Sequence, residues 1–376
     1  MSTTPDTNPW IGGVHTEVAA DTAEDVRRAV DAAGAAFGQW AATKSAMRRQ
    51  IFLRAARPMA DRTDDIVRIM AGEVGATAPW AAFNARLGAD ILLEAAAAVS
   101  QSAGQVLATD ADGVISTQAR VPKVVIAAIS PWNAPLVLGA RAIALSLALG
   151  DTVVMKPSED APVACGLLIA DVLREAGVPA GVLNVVTNDR ADAAEVVSAL
   201  VADERVHMVD FTGSIEVGRA IAVYAARHLK PARLELGGEN TLLVLQDADL
   251  DYAVDAAVLG SFVNSGQIRM CLGRVIVHRL LAEEFTAKPA ARAAGLNRGD
   301  PTDPAVAVGP VVNSRAAQRI AALVEDAVAK GATLAAGTGR PEGPDTLIRP
   351  VVLTGVTERH PLRADRRRHH RRSGAV

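Results

Sequence analysis

Five short stretches of the sequence carry residue types that suit chemistry at a carbonyl or a phosphate-bearing ligand. Pro131-Trp132-Asn133 presents a side-chain amide that can donate to an oxygen gaining negative charge; a turn-forming Asn is the alternative. Lys156-Pro157-Ser158-Glu159 pairs an ammonium with a carboxylate, and such a pair can hold the two hydroxyls of a ribose. A solvated turn before a capped helix would show the same residues. Phe211-Thr212-Gly213-Ser214-Ile215-Glu216-Val217-Gly218 lacks the usual G-x-G-x-x-G spacing, but Gly213 would let the backbone approach a pyrophosphate at a helix N-terminus. A tight packing turn explains it equally well. Glu235-Leu236-Gly237-Gly238 sets a carboxylate beside two glycines, where it can reach a water. Asn264, Gly266, Gln267, Cys271 and Arg274 form the last cluster.

These stretches fall where patterned elements end. Thr22 and Asp25 make a variant capping box for a helix whose Val26, Val30, Ala33, Phe37 and Trp40 form one stripe. Helical spacing continues over Ile51–Met59, Ile66–Glu73 and residues 80–101. Gln105–Ala119 reads as a hairpin with Asp112-Gly113 supplying the turn. From Val124 the chain alternates. Strands are expected at Val124–Ile129, Thr152–Met155, Val182–Val186, Val206–Phe211 and Arg233–Leu236. Helices between them are expected at Leu136–Leu149, Pro162–Ala176, Ala191–Val201 and Glu216–Ala226. Strict alternation predicts an α/β fold with a doubly wound parallel sheet, which binds ligands at the carboxyl ends of its strands. A second α/β unit starts near Thr241, with strands at Leu242–Leu245 and Val275–Val277 and helices at Tyr252–Val263 and Ala316–Ala329.

Composition narrows the class. The chain has 376 residues, half of them hydrophobic and only 3% aromatic, which suits small branched side chains packed on both faces of a parallel sheet. The net charge of -3 includes an Arg- and His-rich end from Arg363 to Arg372, and the body has no basic face suited to nucleic acid. Two cysteines argue against a disulfide framework and for a reducing compartment. Leu136–Leu149 contains Arg141 and is too short to span a bilayer. No signal peptide, membrane partner or metal site is expected, and the chain reads as soluble and cytoplasmic.

Together the five stretches resemble the NAD(P)-dependent aldehyde dehydrogenase superfamily, in family order, from about Trp10 to about Leu362. The resemblance implies a dinucleotide-binding domain (residues 1–240) that includes an oligomerisation-arm hairpin at 102–122. It also implies a catalytic domain at 241–362, left incomplete, and a basic tail at 363–376 foreign to the family. Asn133 matches the oxyanion-holding amide, Ile129 and Trp132 the cofactor-site wall, and Lys156, Ser158 and Glu159 the adenosine-ribose contact. Gly213 and Ser214 match the pyrophosphate turn, and Glu235 matches the general base. A Glu at 159 would repel a 2′-phosphate, so NAD is expected rather than NADP. The family mechanism is covalent: a thiolate attacks the aldehyde, hydride leaves to the nicotinamide, and water releases the acid. Gly75-Ala76-Thr77-Ala78-Pro79-Trp80 and the Ile268/Met270 pair resemble the branch acting on aromatic aldehydes such as salicylaldehyde, benzaldehyde and vanillin.

The sequence departs from the family at its centre. The family writes Gly-Gln-x-Cys at the nucleophile, and this chain writes Gly266-Gln267-Ile268-Arg269. Arg274 keeps the family spacing from Gln267, so the register is unshifted and Arg269 holds the nucleophile position. Cys271, two residues on, would lie about 6.5–7 Å away in extended chain; it is either a displaced substitute or a small buried residue. Cys165 belongs to the core. Glu239 replaces a usual Lys, and the Arg-rich tail replaces an acidic pair that contacts the nicotinamide ribose. Three readings follow: an active aromatic-aldehyde oxidoreductase using NAD and forming a homo-oligomer, a catalytically dead dinucleotide-binding homologue, or a non-functional product of a shifted reading frame.

Overall fold

The computed structural model describes residues 2–101, 104–238 and 240–356. Contacts divide it into two compact units. The first is built mainly from residues 16–69 and 82–237; the second takes 7–15, 70–81 and the chain from Gly238 onward.

Strands β1 (Thr3–Thr7) and β2 (Val14–Ala19) precede four helices, α1 (Ala23–Ala42), α2 (Ser45–Asp61), α3 (Thr63–Val74) and α4 (Ala78–Ala98). The capping box is present: the Asp25 carboxylate accepts from the Thr22 backbone N–H at 2.8 Å. Val26, Val30, Ala33 and Trp40 are buried as the stripe requires, with Phe37 half-buried. The hairpin forms as β3 (Gly104–Leu107) against β4 (Ser116–Ala119), antiparallel. Its connection is longer than a two-residue Asp-Gly turn, because pairing stops at Leu107 and resumes at Ser116. Gly113, at φ 73°, turns the chain inside that loop.

Five parallel strands follow: β5 (Val125–Ser130), β6 (Thr152–Pro157), β7 (Leu183–Val185), β8 (Val206–Gly213) and β9 (Ala232–Leu236). Between them lie α5 (Pro135–Leu149), α6 (Leu168–Glu175), α7 (Ala193–Ala202) and α8 (Ile215–Arg227). The strand order is β7-β6-β5-β8-β9, so the connection reverses direction between β5 and β8. Every residue of β5 and β6 is buried, the mark of strands covered on both faces. On one face Val125, Ala127 and Ile129 join a core with α1, α7 and α8. On the other, α5 packs on β5 and β6. The expected single helix from Pro162 begins instead with a π-helical turn, Val163–Leu167, that passes into α6. Cys165 lies in that turn and is fully buried.

In the second unit β10 (Asn240–Val244) pairs in parallel with β11 (Leu272–Val277), joined through α9 (Leu250–Phe262). α10 (Ala282–Ala294), α11 (Ser314–Ala329) and the antiparallel pair β12 (Thr333–Ala336) and β13 (Val352–Thr354) complete it. Sequence patterning does not place α10, because Pro289 in its middle is a helix-breaking signal. A linear cut at residue 240 also misses that 7–15 and 70–81 group with this unit. Among the described residues no helix is long and apolar enough to cross a membrane.

Candidate functional site

The strand order reverses between β5 and β8, and doubly wound sheets hold ligands outside the carboxyl ends of their strands at such a reversal. Register puts the candidate residues of the first unit along that edge. Ile129 pairs with Lys156 on one side and Phe211 on the other, and Phe211 pairs with Leu234. One row further on, Thr212 pairs with Glu235. The loop from β5 to α5 carries Trp132 and Asn133, both half-buried.

Lys156 is 4% exposed, and its ammonium donates to a carboxylate oxygen of Glu159 and to the Pro157 carbonyl. Ser158 closes the turn, its hydroxyl accepting from the Asp160 N–H at 3.3 Å. Two further groups meet Glu159. Asn188 Nδ2 donates to Oε1 at 3.3 Å, and Arg190 Nη1 stands 3.8 Å from Oε2. Burial pushes the Glu159 carboxyl up, but the Lys156 charge and hydrogen bond, with Arg190, outweigh it and hold the group below its ordinary value. Asn188 Oδ1 is buried and has no hydrogen-bond partner among the described residues. Pro157, Ser158, Glu159, Thr187 and Asn188 line one small cavity. The Glu159 carboxylate, held in place by Lys156, Asn188 and Arg190, can accept from the hydroxyls of a vicinal diol, and that chemistry suits an adenosine ribose.

Gly213 at the end of β8 and Gly218 in α8 have a packing reason of their own. A Cβ on Gly213 would meet the Phe211 ring at 2.4 Å, and one on Gly218 would meet Leu236 Cδ2 at 2.3 Å. Ser214 is the N-cap of α8, its hydroxyl accepting from the Val217 N–H at 3.2 Å. Glu235 is exposed on β9. Register places Asp210, Thr212, Arg233 and Glu235 on one face of the β8–β9 pair. Burial pushes the Asp210 carboxyl up, the Arg233 ion pair pulls it down, and the Glu235 charge pushes it up again. Asp210 and Arg233 carry no motif and escape sequence reading.

In the second unit Asn264 and Ser265 adopt left-handed backbone, at φ 48° and 55°, and Gly266 follows at 75°. Non-glycine residues in that region cost of order 1–3 kcal/mol each and persist only where neighbours impose them. Three hydrogen bonds do so. The Ser265 hydroxyl donates to the Gly309 carbonyl at 2.8 Å, the Val312 N–H donates to Gln267 Oε1 at 2.9 Å, and Gln267 Nε2 donates to the Asn264 carbonyl at 3.3 Å. Gly75–Trp80 takes part in the same assembly. The Ala78 N–H donates to the Pro301 carbonyl at 2.9 Å, and a Cβ on Gly309 would meet the Gly75 carbonyl at 2.6 Å. Gln267 therefore braces the loop that carries position 269.

Residues 268–271 form a turn, closed by the Cys271 N–H on the Ile268 carbonyl at 3.0 Å, so the extended-chain separation does not apply. Arg269 is exposed, and its carbonyl accepts from Asn240 Nδ2 at 3.1 Å. The Cys271 thiol lies 3.6 Å from the Val263 carbonyl, and burial pushes its pKa up. A raised thiol pKa is the reverse of what a nucleophile needs. Glu239 and the basic tail lie outside the described residues, and among those described no His, Cys, Asp and Glu cluster could hold a metal.

Residues 2–365 match the aldehyde dehydrogenase family. A vanillin dehydrogenase of Pseudomonas fluorescens is 47% identical over 349 residues, covering 93% of this chain and 71% of that relative. The NAD(+) benzaldehyde dehydrogenase of Pseudomonas putida is 39% identical over 314 residues, 84% of this chain and 64% of its own. The crystal structure of a salicylaldehyde dehydrogenase from Pseudomonas putida G7 complexed with salicylaldehyde superposes with a TM-score of 0.93 at 38% identity, covering 96% of this chain and 74% of that one.

Proposed function

The chain belongs to the aldehyde dehydrogenase family, and from that premise we propose that it binds NAD at the carboxyl edge of its five-stranded sheet and lacks the nucleophile for oxidising an aromatic aldehyde. The observation that carries the cofactor half is the Lys156–Glu159 pair. It is buried, charged and braced by Asn188 and Arg190, an arrangement that a solvated turn would not need. Lys156 and Glu159 hold the adenosine ribose, Ser158 shapes that turn, and the backbone at Gly213 and Ser214 faces the pyrophosphate. Ile129 and Trp132 form the wall. When bound, NAD supplies the hydride acceptor.

The remaining roles belong to the chain. Asn133 donates its amide to the aldehyde oxygen, and Glu235 takes a proton from water. The attacking group is what is missing, since a guanidinium keeps its proton and offers no lone pair to a carbonyl carbon. Names of relatives support vanillin, benzaldehyde or salicylaldehyde as the substrate class, and a homo-oligomer is the expected assembly. The competing reading, an active enzyme with Cys271 as substitute, has the raised thiol against it. Calorimetric titration with NAD tests the cofactor half. Saturable binding that Lys156→Ala weakens at least about tenfold is expected, about 1.4 kcal/mol for one lost charge-assisted contact. Unchanged affinity in that variant would remove the proposal.

A further inference from the structure

Arg190 is not among the motif residues. It opens a 3₁₀ turn, Arg190–Asp192, in the loop after β7. Asp189 fixes that turn, accepting from the Ala191 N–H at 2.8 Å and from the Thr4 hydroxyl at 3.0 Å. The Arg190 side chain is 41% exposed, and its Nη2 donates to Asp160 at 2.5 Å. Its Nη1 faces Glu159 Oε2 across 3.8 Å, too far for a hydrogen bond and close enough for attraction. Glu159 Oε1, by contrast, is already taken by Lys156 and Asn188. The outward oxygen of the carboxylate thus stands beside a guanidinium that is itself held on Asp160.

We infer that the 2′ substituent of the adenosine ribose meets Glu159 and Arg190 together, and that Arg190 sets how strictly the chain prefers NAD to NADP. The inference rests on the reading that the sheet edge binds the dinucleotide. A 2′-hydroxyl set beside the pair donates to Glu159 Oε2 and accepts from Arg190 Nη1. A 2′-phosphate would meet repulsion from Glu159 and attraction from Arg190 together. A lone carboxylate would exclude NADP; a carboxylate with a guanidinium opposite tolerates it. The chain therefore binds NADP as well as NAD, with the ratio of the two affinities controlled at position 190.

The test is calorimetric titration of the full chain with NAD and with NADP, repeated with AMP and 2′,5′-ADP, for the natural sequence, Arg190→Ala and Arg190→Lys. The natural chain should bind NADP within about tenfold of NAD. Arg190→Ala should weaken NADP at least about tenfold more than NAD, and Arg190→Lys should restore most of the loss. Equal weakening of both nucleotides in Arg190→Ala, or no change in either, would overturn the inference and leave NAD binding standing. So would a natural chain that binds NAD and discriminates against NADP more than about a hundredfold. If neither nucleotide binds the natural chain, the NAD reading itself fails and the role of Arg190 falls with it. Unfolding midpoints of the three proteins, which should agree because Arg190 is on the surface, keep a folding defect from being mistaken for a specificity change.

Discussion

At position 269 an exposed guanidinium stands on a tightly braced turn, and two residues later a thiol is turned onto a backbone carbonyl. Burial raises that thiol, so Cys271 should react with iodoacetamide at pH 8 more slowly than glutathione does, and faster alkylation would count against the geometry given for it. The brace has its own consequence. Gln267 Oε1 is the acceptor for the Val312 N–H, and Gln267→Ala leaves that donor without it. The variant should lose about 1–3 kcal/mol in urea unfolding, and a loss below about 0.3 kcal/mol would mean that water replaces the amide. At this scale the sequence is legible where a residue belongs to a contiguous motif: Lys156 and Glu159 lie three apart and meet. It is illegible where partners are distant in sequence or conformational. Nothing near Arg190 announces that it faces Glu159, and while Asn264 is a type that tolerates left-handed backbone, nothing marks Ser265, whose backbone is imposed by residues 309–312.

Elements are read more fully, because each carries its own start and stop signals. The box at the head of α1 makes a quantitative case. Hydrogen bonds from the Thr22 N–H and hydroxyl hold the Asp25 carboxyl down to about 2, against an ordinary 3.8. A depressed carboxyl stabilises the fold at pH above its unfolded value, and that contribution is lost as pH falls from about 4 through about 2. Asp25→Ala should therefore cost about 0.5–2 kcal/mol at pH 7, and the difference from the natural chain should shrink as the pH is lowered towards 2. A difference independent of pH would show that the carboxylate is not the cause. Glycines separate by what surrounds them. A Cβ on Gly139 in α5 would meet the Cys165 carbonyl at 2.2 Å, whereas one on Gly34 in α1 would meet nothing within 4 Å. Gly139→Ala should cost about 1–3 kcal/mol, while Gly34→Ala should stabilise by about 0.4–1 kcal/mol; thermal unfolding of the pair measures both, and the same sign for the two would contradict the packing at α5. Where element reading fails, the cause is local chemistry answered by tertiary context. Pro289 signals a break that the packing of α10 on α9 and β12 overrides, and the helix expected from Pro162 widens into a π turn where Gly139 allows α5 to approach.

For the whole molecule, alternation of strands and helices foretells the parallel sheet, but no pattern in a linear sequence assigns 7–15 and 70–81 to the second unit; only contacts do that. The hairpin of β3 and β4 carries Val106 at 75% exposure, with Ile115 at 81% in its loop. Exposed apolar side chains on a two-stranded ribbon invite pairing with another copy. Val106→Glu with Ile115→Glu should lower the mass found by light scattering after size exclusion and leave the unfolding midpoint of the sheet unchanged; an unaltered mass would take assembly away from the hairpin. On the proposed reading the chain holds NAD at its sheet edge and has no group to attack an aldehyde. Mixing the purified full chain with saturating NAD and vanillin, and following NADH absorbance, tests it most directly. No NADH above the rate without protein is expected from a chain that calorimetry shows to be NAD-bound; steady NADH formation that disappears on Cys271→Ser would mean that Cys271 is the nucleophile.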